Sequence, residues 1–115
     1  MPDFNKEFFL SKWESQVRKG LLDFIILMYL HKKKYYGYEL ISEIKKISAM
    51  QISEGTIYPL LNRIKKEGLI TSSWVEMEKG IPRKYYEILP KGIQTLAEMK
   101  ESWAQINDSL QNLME

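Results

Sequence analysis

The chain has 115 residues, 44% hydrophobic and 28% charged, with no cysteine and a single histidine. This suits one domain with one core, is too apolar for a disordered chain, and excludes disulfides and thiolate metal sites. The net charge of +2 is small but uneven: His31 to Lys91 holds 12 Lys/Arg against 7 Asp/Glu, while the remaining ends hold 5 against 8. A basic middle between acidic ends fits a polyanion partner, although a mildly uneven solvated surface carries the same pattern.

The opening residues lack the basic-then-apolar order of a secretory signal. The longest apolar run, Phe24 to Leu30, falls far short of the roughly 20 residues that span a bilayer. A cytoplasmic protein with no membrane partner is expected. Ser11 with Glu14 has the form of a capping box, and Val17, Leu21, Phe24, Ile25 and Met28 recur at helical spacing. They predict a first helix from Ser11 to about His31, ending in Lys32-Lys33-Lys34. Ahead of it, Phe4, Phe8 and Phe9 form an aromatic arm suited to packing on a neighbour.

A second helix is predicted from Tyr38 to about Ile47, with Leu40, Ile41, Ile44 and Ile47 on one face. After a turn around Ser48 to Ile52, a third helix carries Ile57, Leu60, Leu61 and Ile64. It closes at Glu67-Gly68, where glycine can take the left-handed conformation beyond the helix end. If Ser53 caps this helix, Pro59 lies one turn in and crowds the Gly55 carbonyl; if Thr56 does, Pro59 falls in the tolerated first turn. We favour Ser53, with a strained or locally irregular first turn.

From Leu69 to Met77 and from Arg83 to Leu89 the period changes to two, with β-branched and aromatic residues frequent. Lys79-Gly80-Ile81-Pro82 supplies the turn of a β-hairpin with a basic tip. The last segment, from about Pro90, places Leu96, Met99, Trp103, Ile106, Leu110 and Leu113 at alternating spacings of 3 and 4. That is the a/d seam of a helix that packs on another helix.

The expected architecture is therefore α+β and mostly α: a winged helix-turn-helix with a C-terminal dimerisation helix. Residues 1–89 form the DNA-binding region including the N-terminal helix, and residues 90–115 the dimerisation helix, within one compact domain. In such a fold the second helix of the pair enters the major groove, which an α-helix fits. With Ile57, Leu60, Leu61 and Ile64 turned inward, Gly55, Tyr58, Pro59, Asn62, Arg63 and Lys66 point outward. Gly55 admits close backbone approach, and the Ser53 hydroxyl can meet a phosphate beside the positive helix N-terminus. Thr56 and Tyr58 can donate to phosphates or touch a thymine methyl, while Asn62, Arg63 and Lys66 can read base edges or hold the backbone. Lys79, Arg83 and Lys84 sit at or near the hairpin tip, placed for a neighbouring minor groove or phosphate. Every globular helix has an exposed polar face, and hairpin tips are often merely solvated; the order of elements favours DNA.

The runs Tyr36-Gly37-Tyr38-Glu39-Leu40, Gly55-Thr56-Ile57-Tyr58-Pro59-Leu60-Leu61 and Glu67-Gly68-Leu69-Ile70, followed by Trp74, Arg83-Lys84-Tyr85-Tyr86 and Gly92, resemble the PadR family of transcriptional regulators. The resemblance spans roughly Gly20 to Leu113, and the single last helix carrying Glu101-Ser102-Trp103 is similar to the short-chain, LmrR-like branch. It implies a homodimer whose last helix packs on the partner's first and last helices. It also implies binding to an inverted-repeat operator in double-stranded DNA, usually as a repressor. The family's DNA-facing positions map onto Ser53, Gly55, Thr56, Tyr58, Pro59, Arg63, Lys79 and Arg83, with Tyr38 a further phosphate contact. Where the family commonly has a threonine cap before the last helix, this chain reads Leu89-Pro90; proline suits the first helical position, but the hydroxyl is lost.

By the same resemblance, Trp103 near the two-fold axis would stack a planar aromatic effector, with walls from Trp13, Val17, Met99 and Ile106. Glu101 or Asp108 would attract a cationic one. The competing reading makes Trp103 a filled seam residue with no pocket. The dimer interface itself would comprise Leu96, Met99, Trp103, Ile106, Leu110 and Leu113. An enzyme is not expected: His31 abuts a lysine run, and the sequence has no glycine-rich phosphate loop, no metal-ligand spacing and no implied cofactor. The alternative from another class is a winged-helix protein-interaction module whose exposed helix does not touch DNA.

Overall fold

The computed structural model describes residues 3–47 and 49–115. In chain order the elements are α1 (Lys6–Lys32), β1 (Tyr35–Tyr36), α2 (Gly37–Lys45), α3 (Glu54–Lys66), β2 (Ile70–Val75), β3 (Arg83–Ile88) and α4 (Pro90–Met114). The fold is mostly helical with one small antiparallel sheet, as expected.

The first helix starts a turn and a half earlier than the Ser11 capping box predicts. Asn5 is its N-cap, and the Asn5 side-chain oxygen accepts from the Phe8 amide at 3.0 Å. Phe4 and Phe9, one residue before the cap and four after, bring their rings within 5.8 Å. That pairing is a hydrophobic staple, which fixes the entry of the chain into the helix. Ser11 is thus interior, and Glu14 pairs with Arg18 at 3.3 Å instead of closing a box. Phe8 and Phe9 belong to the helix, and both stay exposed.

The core-facing stripe of α1 also differs from the expected one. Leu22, Ile26, Leu27 and Leu30 are buried, whereas Leu21, Phe24, Ile25 and Met28 are only half-buried and Val17 is exposed. The segment is apolar over a wide arc, and periodicity alone cannot say which part of the arc meets the chain's own core.

α2 and α3 supply Leu40, Ile41, Ile44, Ile57, Leu61 and Ile64 to the same cluster. Ile47 lies past the end of α2, partly buried, and Ser48 of the following turn falls outside the described residues. Ser53 is the N-cap of α3, and its carbonyl is shared between the amides of Thr56 (3.0 Å) and Ile57 (3.3 Å). Pro59 sits inside the helix. Gly68 closes it with φ of 82°, the left-handed value expected there.

β3 is the central strand, ordered β1-β3-β2, with Ile70 opposite Ile88 and Val75 opposite Arg83. β1 has no signature in the sequence. It is only two residues long, yet it pairs Tyr35 with Tyr86 and Tyr36 with Tyr85, fastening the hairpin to the start of α2. At the other end of the hairpin the Leu89 amide donates to the Leu69 carbonyl at 2.9 Å. Gly92 then passes so close that a β-carbon there would lie 2.2 Å from that same carbonyl oxygen.

α4 starts with Pro90 in the first turn and no side-chain cap, in line with the missing hydroxyl. Its first half packs on α1 and buries Leu96, with Met99 partly covered. Beyond that, Trp103, Ile106, Leu110 and Leu113 are exposed. The Cα radius of gyration is 17.1 Å, against about 13 Å for a compact chain of this length. The excess reflects the long helices, whose outer ends carry uncovered apolar side chains.

Candidate nucleic-acid interface

Because Ile57, Leu61 and Ile64 anchor α3 in the core, its remaining side chains fall on two flanks and a crest. On the hairpin flank, Tyr58 and Asn62 share a cleft of about 620 Å³ with Tyr38, Trp74, Lys79 and Arg83. On the α1 flank, Thr56, Pro59 and Arg63 face Lys19 and Asp23 across a shallower one of about 330 Å³. Gly55 and Lys66 are exposed. The residues expected to form one reading face are therefore split between two edges of the same helix.

Tyr58 is held firmly. Its ring lies over buried Gly37 at the start of α2, where a β-carbon would meet the phenol oxygen at 2.8 Å. Tyr38, one residue on, projects into solvent with 68% of its surface exposed, free to donate to an oxyanion. The Ser53 hydroxyl makes no side-chain cap to α3 and instead lies 3.2 Å from the Thr56 hydroxyl. Both hydroxyls thus sit together at the positive end of the helix, where phosphate oxygens bind well.

Two of the hairpin's cations, Arg83 and Lys84, rest on aromatic rings. The Arg83 guanidinium stands 4.4 Å above the Tyr36 ring, which makes a T-shaped contact with Tyr85 at 5.6 Å. Lys84 lies 5.8 Å from Trp74 and 5.7 Å from Tyr86. Such cation–π contacts limit the freedom of long side chains without neutralising them, so the charge stays available to an anion. Lys79, at the tip, is exposed. Lys65 ties α3 to β2 through a 2.6 Å bond from its ammonium to the Ser72 hydroxyl.

Arg63 stands apart from the other basic residues. One of its terminal nitrogens donates to both carboxylate oxygens of Asp23, at 2.8 and 2.9 Å, and the other reaches Glu67 at 3.5 Å. The Asp23 hydrogen bonds, then its charge, raise the guanidinium's pKa above its ordinary value. Asp23 does not stand out in the sequence, and Tyr36 does so only as part of the Tyr36-Gly37-Tyr38 run, not as a partner of Arg83. Asp23 lies 40 positions from Arg63 with no pattern linking them, whereas the Tyr35-Tyr36 pair before Gly37 offered a faint aromatic signal.

Of the residues expected around an effector, Trp13 and Val17 are exposed on α1, and Trp103 and Ile106 on α4. Trp13 lines an open cleft with Phe4, Phe8 and Phe9 that Trp103 does not share. His31 sits exposed in the last turn of α1, beside Lys32, where a basic group complements the terminal carbonyls.

Two short helices joined by a turn, the second exposed along its length and flanked by a basic hairpin, define the winged helix-turn-helix of DNA-binding proteins. Residues 26–98 match the family described as "Transcriptional regulator PadR-like family", and the chain belongs to that family. Its members are transcription regulators and not enzymes. A PadR-like transcriptional regulator from Bacillus cereus is 40% identical, covering 87% of this chain and 97% of its own, with a TM-score of 0.79. A PadR family transcriptional regulator from Eggerthella lenta is 29% identical, covers 95% of each chain, and superimposes with a TM-score of 0.84. An uncharacterized protein of Lysinibacillus sphaericus is 34% identical over 103 residues, 88% of this chain and 94% of its own. Among the described residues, no helix is long and apolar enough to cross a membrane.

Proposed function

We propose that the chain is a sequence-specific repressor that binds an inverted-repeat operator as a homodimer and is released by a planar aromatic effector at the dimer interface. Residues 1–89 carry the DNA-binding surface and residues 90–115 join the protomers. The observation that carries this reading is a division of surfaces. Exposed groups of α3 and the cations of the hairpin share one cleft, while α1 and α4 carry a separate apolar face with no cover. A single protomer has no use for Trp103, Ile106, Leu110 and Leu113 in water; a second α4 would bury them.

On the DNA side, Lys66, Lys79, Arg83 and Lys84 give each protomer four cations toward the duplex, with Tyr38, Ser53, Thr56 and Tyr58 as neutral donors. Gly55 and Pro59 shape the close approach, and Asn62 and Arg63 offer donors to base edges. On the effector side, Trp103 supplies a flat face, bounded by Met99 and Ile106 on its own helix, and pairing of two protomers would bring Trp13 and Val17 of α1 up to it. Filling that seam would change the spacing of the two recognition helices and so the fit to successive grooves.

Fluorescence anisotropy with a labelled duplex from the chain's own promoter tests the DNA reading. Eight phosphate contacts per dimer predict a log–log salt slope near about −7, at roughly 0.9 per contact. Salt-insensitive binding, or none, would instead assign the surface to a protein-interaction module.

A further inference from the structure

We infer that Asp23 is a positioning residue that sets DNA specificity through Arg63, withholding its charge from arbitrary phosphates until a matching site draws it away. The inference rests on the DNA-facing role of α3 proposed above. Arg63 is the cation of α3 most fully engaged within the protein: two short bonds to Asp23 and a longer one to Glu67. With two carboxylates on one guanidinium, this edge of the recognition helix presents no net positive charge, and Lys19 is the other cation lining the cleft.

The restraint is reversible by its exposure. Side-chain exposure is 53% for Arg63 and 31% for Asp23, and a pair so open to water is worth no more than about a fivefold factor. A correctly placed guanine edge, accepting two parallel bonds from a guanidinium, outweighs that. A lone phosphate met at random, screened by salt, gains far less. Asp23 is also on α1, the helix that carries the uncovered aromatic face, so any shift of α1 moves the acceptor that holds Arg63.

The test measures anisotropy on a random-sequence duplex and on a duplex selected from a random pool by the wild-type chain, each across a salt series. Asp23→Asn is expected to bind random duplex about threefold to fivefold more tightly and to steepen its salt slope by about 1.8, one freed guanidinium per protomer at roughly 0.9 each, lowering the ratio of selected to random affinity. Removing any negative charge strengthens DNA binding somewhat, so the same change is made in an Arg63→Gln background. There it should have no effect on slope or ratio. Equal steepening in both backgrounds, or an unchanged ratio in Asp23→Asn, overturns the inference while leaving DNA binding intact. A wild-type chain that binds neither duplex overturns both this and the proposed function. Asp23→Ser serves as a second variant should the amide impair folding. The Arg63 Nη–H resonances give a direct readout, since the bonds to Asp23 come from a terminal nitrogen: slowed proton exchange in the free protein, lost in Asp23→Asn, is expected, and identical exchange in both contradicts the restraint.

Discussion

Replacing Gly92 with alanine should damage the joint between the hairpin and α4 more than any helix-propensity gain repairs. The added β-carbon would lie 2.2 Å from the Leu69 carbonyl oxygen and 2.7 Å from an Ile88 side-chain carbon, where ordinary contacts begin at 3.4 Å. The carbonyl cannot simply swing away, because it accepts the Leu89 amide at 2.9 Å. Overpacking of this kind costs about 1–3 kcal/mol, and a weakened backbone bond about 0.5–1.5 kcal/mol more. Alanine returns at most about 1 kcal/mol in a helix. The net loss of about 2 kcal/mol corresponds to a melting temperature lower by about 10 °C. Thermal unfolding followed by circular dichroism, at equal protomer concentration because assembly shifts the midpoint, measures it. A variant that melts at or above the wild type would show that the close approach of α4 to the α3–β2 loop is not as described.

Leu110→Glu should leave the protomer fold intact, since Leu110 is 45% exposed and outside the core, but should shift sedimentation toward a single chain; an unmoved dimer would place the interface elsewhere. Lys79→Gln should reduce the dimer's salt slope by about 1.8, one contact per protomer at roughly 0.9 each, and weaken selected and random duplexes alike, because a solvated tip cation meets phosphate and not a base; a loss confined to the selected duplex would refute that role. A planar cationic dye should quench Trp103 and lower DNA affinity in parallel, whereas Trp103→Ala should bind the dye at least tenfold more weakly. Equal dye binding by wild type and Trp103→Ala would leave Trp103 a seam residue only.

Much of the architecture is legible in the sequence because every element but β1 carries a local signal. The i, i+3, i+4 spacing around Ile57, Leu61 and Ile64, the period-two hairpin and the terminal glycine of α3 all act within a few residues. What escaped depends on distance. β1 is too short for a period and exists because Tyr35 and Tyr36 meet Tyr86 and Tyr85 some fifty positions away. α1 starts ahead of Ser11 because Asn5 and the Phe4–Phe9 staple form a second, equally good start signal. The buried stripe of α1, Leu22, Ile26, Leu27 and Leu30, is rotated from the expected one because an apolar arc serving both a core and an uncovered face leaves the phase open. At the candidate interface, residue types on α3 were readable, but Arg63's engagement with Asp23 was not, since ion pairs between helices leave no mark in either segment.

Hydroxyl-radical footprinting of the full chain on its selected duplex tests the central claim most directly. Two recognition helices held by a shared α4 seam predict two protected patches on one face of the DNA, their centres about 34 Å or one helical turn apart. A single protected patch, or patches whose spacing ignores the helical repeat, would contradict a paired winged-helix protein reading an inverted repeat.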